Sequence, residues 1–125
     1  MTVALNHTIV WCTDRYRSAD FLAGMFGLPE PKDVFHFRMV KAANGVSLDF
    51  AEGEGAVAPQ HYAFLVSEPE FDAILARIRA KDLQYWADPA RRHSGQINHN
   101  SGGRGVYFED PDGHILEALT VPCGE

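Results

Sequence analysis

The sequence has few cysteines and no long apolar run, and both absences restrict what the protein can be. Only Cys12 and Cys123 occur among 125 residues, and neither has a CxxC partner. This argues against a disulfide framework, a zinc ribbon or an iron–sulfur site, so we expect two plain thiols. No apolar run approaches the roughly 20 residues of a membrane span. The first residues, MTVALNHTIVW, lack the features of a secretory signal, and we expect a cytoplasmic protein.

Positive charge is also scarce. The 17 acidic side chains outnumber the 11 Lys and Arg, giving a net charge of -6. Nucleic-acid binding requires a basic face to neutralise phosphates, so this balance works against it. We expect a small-molecule partner, with no nucleic acid and no membrane.

The first half of the chain predicts a strand, a helix and a hairpin. Thr13-Asp14 is a helix N-cap signal, and Gly27 ends the helical pattern. Asn44-Gly45 is a two-residue hairpin signal. The expected elements are the strand Leu5–Cys12, the helix Arg15–Phe26, and the strands Val34–Ala42 and Val46–Ala51.

The second half repeats this order. Ser67-Glu68-Pro69-Glu70 is a capping box, and Phe71, Ile74, Leu75 and Ile78 follow it at helical spacing. The period is near 54 residues, from His7 to His61 (61 minus 7). It predicts an α+β protein of two tandem βαβββ modules, about 1–56 and 57–125, in one domain. The expected elements are the strand His61–Val66, a helix to about Lys81, the strand Leu83–Trp86, and the strands Gly105–Glu109 and His114–Val121 around a DPDG turn.

A polar segment, Asp88–Arg104, interrupts the second module and is longer than most connections in compact domains. Such segments are often lids. The alternative is a further short strand around Gly95–Asn98, and composition leaves both open.

Superimposing the two halves places His7 opposite His61 and Asp49 opposite Glu117. The His-to-carboxylate separations are 42 (49 minus 7) and 56 (117 minus 61), and the polar segment accounts for the excess. Strand alternation puts each residue on a mainly apolar face, where ionised carboxylates are costly unless they are paired or bind a metal. Together the four predict a divalent-metal site. Taken singly, each histidine is equally compatible with an ordinary core or surface residue, and each carboxylate with an exposed strand charge.

Three sequence blocks resemble one known family, the vicinal oxygen chelate superfamily of glyoxalases, bleomycin-resistance proteins and type I extradiol dioxygenases. They are LNHTIV from Leu5, HYAF from His61 and VYFEDPDGHILE from Val106. The resemblance implies a half-open barrel, a homodimer, and metal ligation by His7, His61 and Glu117. Asp49 stands where the glyoxalase-type ligand is usually Glu, so this shorter carboxylate is expected to reach the metal through water or to leave a position open.

These features predict a metal-dependent lyase, isomerase or dioxygenase that uses Fe, Mn, Ni or Zn on a substrate chelating through adjacent oxygens. Glu117, His99, His93 and Tyr107 are candidate catalytic groups. One alternative is a non-catalytic antibiotic- or metabolite-binding protein. Another is thiol transfer to an antibiotic epoxide, although no cationic cluster for a phosphonate is evident. Further candidates are Arg91, Arg92 and Arg104 for a substrate carboxylate, and Trp11, Phe35, Phe37, Phe50 and Trp86 for an aromatic pocket.

Overall fold

The chain is built from two similar units that meet between Ala58 and Pro59. The structure, a computed structural model, describes residues 2–122, so Cys123 lies outside the described residues. Each unit contains a strand, a helix and three further strands in that order. Within residues 2–122, no helix is both long enough and apolar enough to cross a membrane.

The first unit has one open four-stranded sheet in the order β1-β4-β3-β2. The strands β1 and β4 run parallel because helix α1 lies between β1 and the rest of the sheet in the chain, and the other pairs are antiparallel. Its elements are β1 His7–Cys12, α1 Arg15–Phe26, β2 Lys32–Val34, β3 Phe37–Lys41 and β4 Ser47–Glu52.

Helix α1 has the predicted bounds and caps. The Asp14 carboxylate accepts hydrogen bonds from the backbone N–H groups of Tyr16 and Arg17, and Gly27 ends the helix in the left-handed region at φ 66°. The helix packs on β3 and β4, where Val40 and Phe50 are buried.

The predicted single strand Val34–Ala42 is wrong. Phe35 adopts φ 55°, and a turn at Phe35–His36 divides the segment into β2 and β3. Aromatic residues normally favour strands, which concealed the turn. The Phe35 side chain is 92% exposed, so no packing holds it in an extended strand.

The second unit repeats this topology, with sheet order β5-β8-β7-β6 and β5 parallel to β8. The predicted duplication of βαβββ modules is therefore confirmed. The elements are β5 His61–Leu65, α2 Glu68–Ala80, β6 Tyr85–Trp86, β7 Gly105–Glu109 and β8 Ile115–Leu119.

Helix α2 begins with the predicted capping box. The Ser67 hydroxyl accepts from the Glu70 N–H at 3.3 Å, and the Glu70 carboxylate accepts from the Ser67 N–H at 2.8 Å. The four residues predicted to face the core, Phe71, Ile74, Leu75 and Ile78, are all buried.

The polar segment 88–104 folds back on the sheet of the second unit. Single bridges join Ser94 to Trp86 and Asn98 to Gly105. The Asp88 carboxylate accepts from the backbone N–H groups of Arg92 and His93. No strand forms at Gly95–Asn98 beyond the one bridge at Asn98, so the alternative of a further strand there is wrong.

Candidate metal site

The two His-carboxylate pairs occupy equivalent positions in their sheets. In the first unit His7 pairs with Ser47, and Asp49 lies two residues further along β4. In the second unit His61 pairs with Ile115, and Glu117 lies two residues further along β8. Because side chains alternate with a period of two, each carboxylate projects from the same sheet face as its histidine. The strand registers thus agree with the equivalence inferred from sequence.

In the second unit the two side chains are in direct contact. His61 Nε2 lies 2.9 Å from Glu117 Oε1, and the histidine side chain is 46% exposed whereas the carboxylate is 7% exposed. Two ligand atoms, each about 2.1 Å from an ion and at right angles to one another, are about 3.0 Å apart. The contact has the length of an ordinary N···O hydrogen bond, and this length also matches the spacing of two adjacent ligands on one divalent ion.

Tyr107 is the candidate catalytic residue nearest to this pair. It lies directly across from Glu117 on β7, and its ring centroid is 5.8 Å from that of His61. Its side chain is buried. The buried Tyr107 side chain therefore lies beside the contact between His61 and Glu117.

Asp49 is arranged differently from Glu117. Its Oδ1 accepts a hydrogen bond from the Ser47 hydroxyl at 2.7 Å, and both residues are buried in β4, between β1 and β3. Asp49 is therefore not an exposed edge charge, and Glu117, on the interior strand β8, is not one either. The side chain of Asp49 is one methylene shorter, and its hydrogen bond goes to its own strand. Sequence reasoning missed Ser47, although a hydroxyl two residues before a strand carboxylate indicates this contact.

The ring of His7 is held through its Nδ1 nitrogen. Nδ1 lies 2.8 Å from Asn6 Oδ1, and an amide oxygen can only accept a hydrogen bond. Nδ1 therefore donates to Asn6 Oδ1, and Nε2 is the ring nitrogen left to bind a metal. His7 is exposed, and Ile9 and Trp11 on the same face are 39% and 49% exposed. On this sheet face the β1 side chains are therefore open to solvent, whereas Ser47 and Asp49 on β4 are buried.

The described side chains do not by themselves form a three-ligand cluster. Among the side chains of residues 2–122, no group of three His, Cys, Asp or Glu is placed to hold a metal ion. Each unit contains one exposed histidine and one buried carboxylate of the predicted set.

His93 and His99 are exposed on the polar segment. His99 follows Asn98, which pairs with Gly105, and Gly105 pairs with Leu119 at the far end of β8 from the His61 partner. That separation is four residues (119 minus 115), or about 13 Å. The strand register thus places His99 near the opposite end of the sheet from His61.

The candidate arginines mostly face carboxylates of the chain itself. Arg91 forms an ion pair with Glu109. Arg104 pairs with Asp72 and Glu68 at 2.8 and 2.7 Å, and the hydrogen bond to Asp72 is the main cause that raises the pKa of its guanidinium. Arg92 donates its backbone N–H to Asp88. Arg91 and Arg104 are therefore engaged in structural contacts.

The five aromatic residues considered for a ligand pocket differ in burial. Phe50 and Trp86 belong to the cores of their units, whereas Trp11 and Phe35 are exposed and Phe37 is half-buried. They do not form a uniform apolar lining.

The turn Asp110–Gly113 supports a buried polar contact that sequence reasoning underestimated. Asp110 Oδ1 accepts from the backbone N–H groups of Asp112 and His114, and burial raises the pKa of this carboxyl group. His114 is 1% exposed, and its Nδ1 accepts from the Gln60 N–H at 2.9 Å. His114 thus supports the turn and also links it to the start of β5.

Comparison with known proteins gives one family. The family model described as Glyoxalase/Bleomycin resistance protein/Dioxygenase superfamily matches residues 4–118. The glutathione transferase FosA of Serratia marcescens is 30% identical over 128 residues, which cover 94% of this chain and 80% of that protein. The solved structure of oxidase ChaP-H1 is 58% identical, with a TM-score of 0.97 and coverage of 99% and 100% of the two chains.

A more distant structure shares the fold alone. It is a FosX variant from Listeria monocytogenes complexed with Mn(II) and 1S,2S-dihydroxypropylphosphonic acid, 21% identical with a TM-score of 0.71, and the match covers 98% of this chain and 96% of that one. The resemblance inferred from the three sequence blocks is thereby confirmed at the level of family and fold.

Proposed function

Because the chain belongs to the glyoxalase/bleomycin resistance protein/dioxygenase superfamily, we propose that it is a divalent-metal-dependent enzyme of the oxidase or dioxygenase type. Its substrate would be a small molecule that offers two adjacent oxygens to the metal. The observation that carries the proposal is the 2.9 Å contact between His61 Nε2 and the buried Glu117 Oε1, since this spacing suits two ligands of one ion.

The proposed ligands are His7, His61 and Glu117. Two imidazoles and one carboxylate suit Fe, Mn, Ni or Zn and leave coordination positions open, and Fe(II) is the usual ion for oxygen-using enzymes with this set. When bound, the ion supplies Lewis-acid or redox chemistry to the substrate.

We assign Asp49 a role beside the metal rather than on it. Its Oδ1 is engaged by the Ser47 hydroxyl at 2.7 Å, and its short side chain remains close to β4. A buried carboxylate held in this way can accept a proton from a substrate hydroxyl or from an intervening water. Tyr107 is the proposed proton donor, supported by its position across from Glu117. His99 stays a prediction as an alternative acid or base.

Oxidase chemistry is preferred to thiol transfer for two reasons. The relative named as an oxidase is 58% identical over essentially the whole chain, whereas the relative named as a glutathione transferase is 30% identical. A phosphonate substrate also needs cationic partners, and Arg91 and Arg104 already contact carboxylates of the chain. The match to FosA nevertheless makes thiol transfer the second candidate.

Metal titration tests the ligand assignment. Calorimetric binding of Mn(II) to metal-free protein should weaken by about 100-fold or more in each of H7A, H61A and E117A, because each loses a ligand. D49A should bind Mn(II) within about tenfold of wild type. H36A, which removes an exposed histidine from the β2–β3 turn, is the matched control and should bind as wild type does. Stoichiometric metal in the H61A/E117A double variant would exclude the assignment.

Reaction assays separate the candidate functions. Protein loaded anaerobically with Fe(II) should consume oxygen when mixed with members of a panel of catechols and α-hydroxyketones, and H61A should not. Formation of a glutathione–fosfomycin adduct by the Mn(II) form, without oxygen uptake on any panel member, would instead favour the transferase. Ligand binding that is unaffected by chelator, with no turnover in either assay, would favour sequestration.

We also propose a homodimer. The exposed apolar side chains of Ile9 and Trp11, which lie on the same side of β1, support it, because neighbouring exposed apolar side chains can mark an interface. Light scattering coupled to size exclusion should give twice the 13.9 kDa chain mass. A mass equal to that of one chain over a wide concentration range would contradict the dimer.

A further inference from the structure

We propose that His114 is a positioning residue for His61, which it holds in place through the backbone of Gln60. His114 Nδ1 accepts the Gln60 N–H at 2.9 Å, and Gln60 directly precedes His61. The inference rests on the proposed function, since it concerns a ligand of the proposed metal.

His114 is itself held firmly by its surroundings. It is 1% exposed, and its backbone N–H donates to the Asp110 carboxylate at 2.9 Å. The ring of Tyr62 meets it edge-on, with centroids 5.5 Å apart. Because Nδ1 accepts a hydrogen bond, the ring proton lies on Nε2. A buried neutral histidine therefore presents a fixed acceptor to the start of β5.

Both backbone groups of Gln60 are bound by the same dipeptide. Its N–H donates to His114 Nδ1, and its carbonyl accepts from the Ile115 N–H at 2.8 Å. Gln60 and His61 are exposed, and β5 is an edge strand of its sheet. Packing alone therefore fixes this strand end weakly, and the two hydrogen bonds supply much of the restraint.

The first module lacks a counterpart of the hydrogen bond between Gln60 and His114. There the carbonyl of Asn6 accepts from the Ser47 N–H at 2.9 Å, which matches the contact between Gln60 and Ile115. The residue equivalent to His114 is Val46, whose side chain has no acceptor. His7 is restrained instead by the Asn6 side chain. The contact from His114 is thus specific to the module whose histidine touches its carboxylate.

The test uses two substitutions, of which one keeps and the other removes a hydrogen-bond acceptor at position 114. In His114→Asn the amide oxygen stands close to the position of Nδ1, whereas His114→Leu fills the buried volume without an acceptor. Co(II) binding, followed by its visible absorption, should weaken at least about tenfold in H114L and stay within about threefold of wild type in H114N. The Gln60 amide should exchange with solvent faster in H114L but not in H114N.

Ile74→Val, a core substitution in α2 of the same unit, distinguishes positioning of His61 by His114 from a general loss of stability. I74V lowers thermal stability and should leave both the Co(II) affinity and Gln60 exchange unchanged. Wild-type Co(II) affinity in H114L, or an equal loss in H114N, overturns the proposal. If H114L does not fold, His114→Gln takes its place, because its amide oxygen lies one methylene away from the Nδ1 position. Wild-type Co(II) affinity in H114Q, or an equal loss in H114N, then overturns the proposal.

Failure of the proposed function has a different signature. If H61A binds Co(II) as wild type does, His61 is not a ligand and the metal-site proposal fails. The positioning of Gln60 by His114 is still decided by amide exchange, since unchanged Gln60 exchange in H114L refutes the contact itself.

Discussion

Glu117→Gln should remove most of the stabilisation that Mn(II) gives the protein, without lowering the stability of the metal-free state. The Glu117 side chain is 7% exposed and lies 2.9 Å from His61 Nε2. Glutamine keeps an oxygen acceptor at this position, so the hydrogen bond survives. Because the substitution also removes a buried charge, the free energy of unfolding of the metal-free variant should stay within about 1 kcal/mol of wild type or increase.

With metal present the two proteins should differ. Mn(II) at 100 times its dissociation constant stabilises wild type by about 2.7 kcal/mol, which for a chain of this size is roughly 10 °C in Tm. A 100-fold loss of affinity in the variant leaves about 0.4 kcal/mol at the same Mn(II) concentration, or less than about 2 °C.

Thermal unfolding with chelator and with Mn(II) measures both quantities. Glu109→Gln is the matched control, because Glu109 lies on the neighbouring strand β7, pairs with Arg91 and is 37% exposed. It should keep the full shift in Tm. An equal Mn(II)-induced shift in Glu117→Gln would refute the reasoning, and so would a large loss of metal-free stability.

Three further substitutions test the fold around the site. Ser67→Ala removes the capping box of α2 and should lower the free energy of unfolding by about 1 kcal/mol in urea; an unchanged urea midpoint would contradict this. Burial raises the pKa of Asp110 above its ordinary 3.8, so the native state binds more protons and stability falls as pH rises through that window. Asp110→Asn should remove this fall, whereas parallel pH–stability profiles would contradict it. Gly105→Ala should cost about 1–3 kcal/mol in urea unfolding, because its Cβ would lie 2.8 Å from the Asn98 side chain; wild-type stability would mean that the polar segment adjusts freely.

The sequence predicted most of the secondary structure because its signals are local. The caps of both helices, at Asp14 and Ser67, are read from adjacent residues, and both helices form where expected. The division of the segment Val34–Ala42 was missed because no Gly, Asn or Pro marks the turn at Phe35. Turns formed by aromatic residues leave no compositional signal.

The sequence also determined which residues are candidates for the metal site. Duplication and strand alternation identified His7, His61, Asp49 and Glu117 as equivalent pairs, because side-chain period and module order are encoded along the chain.

Only the tertiary structure decided how the pairs differ. The contact of Glu117 with His61 depends on the pairing of strands 56 residues apart (117 minus 61), and Asp49 instead accepts the hydroxyl of Ser47. The role of His114 depends likewise on a contact with Gln60, 54 residues away (114 minus 60). Such contacts depend on strand register and on side-chain reach to within a few tenths of an ångström, and no local pattern in the sequence specifies distances between remote residues.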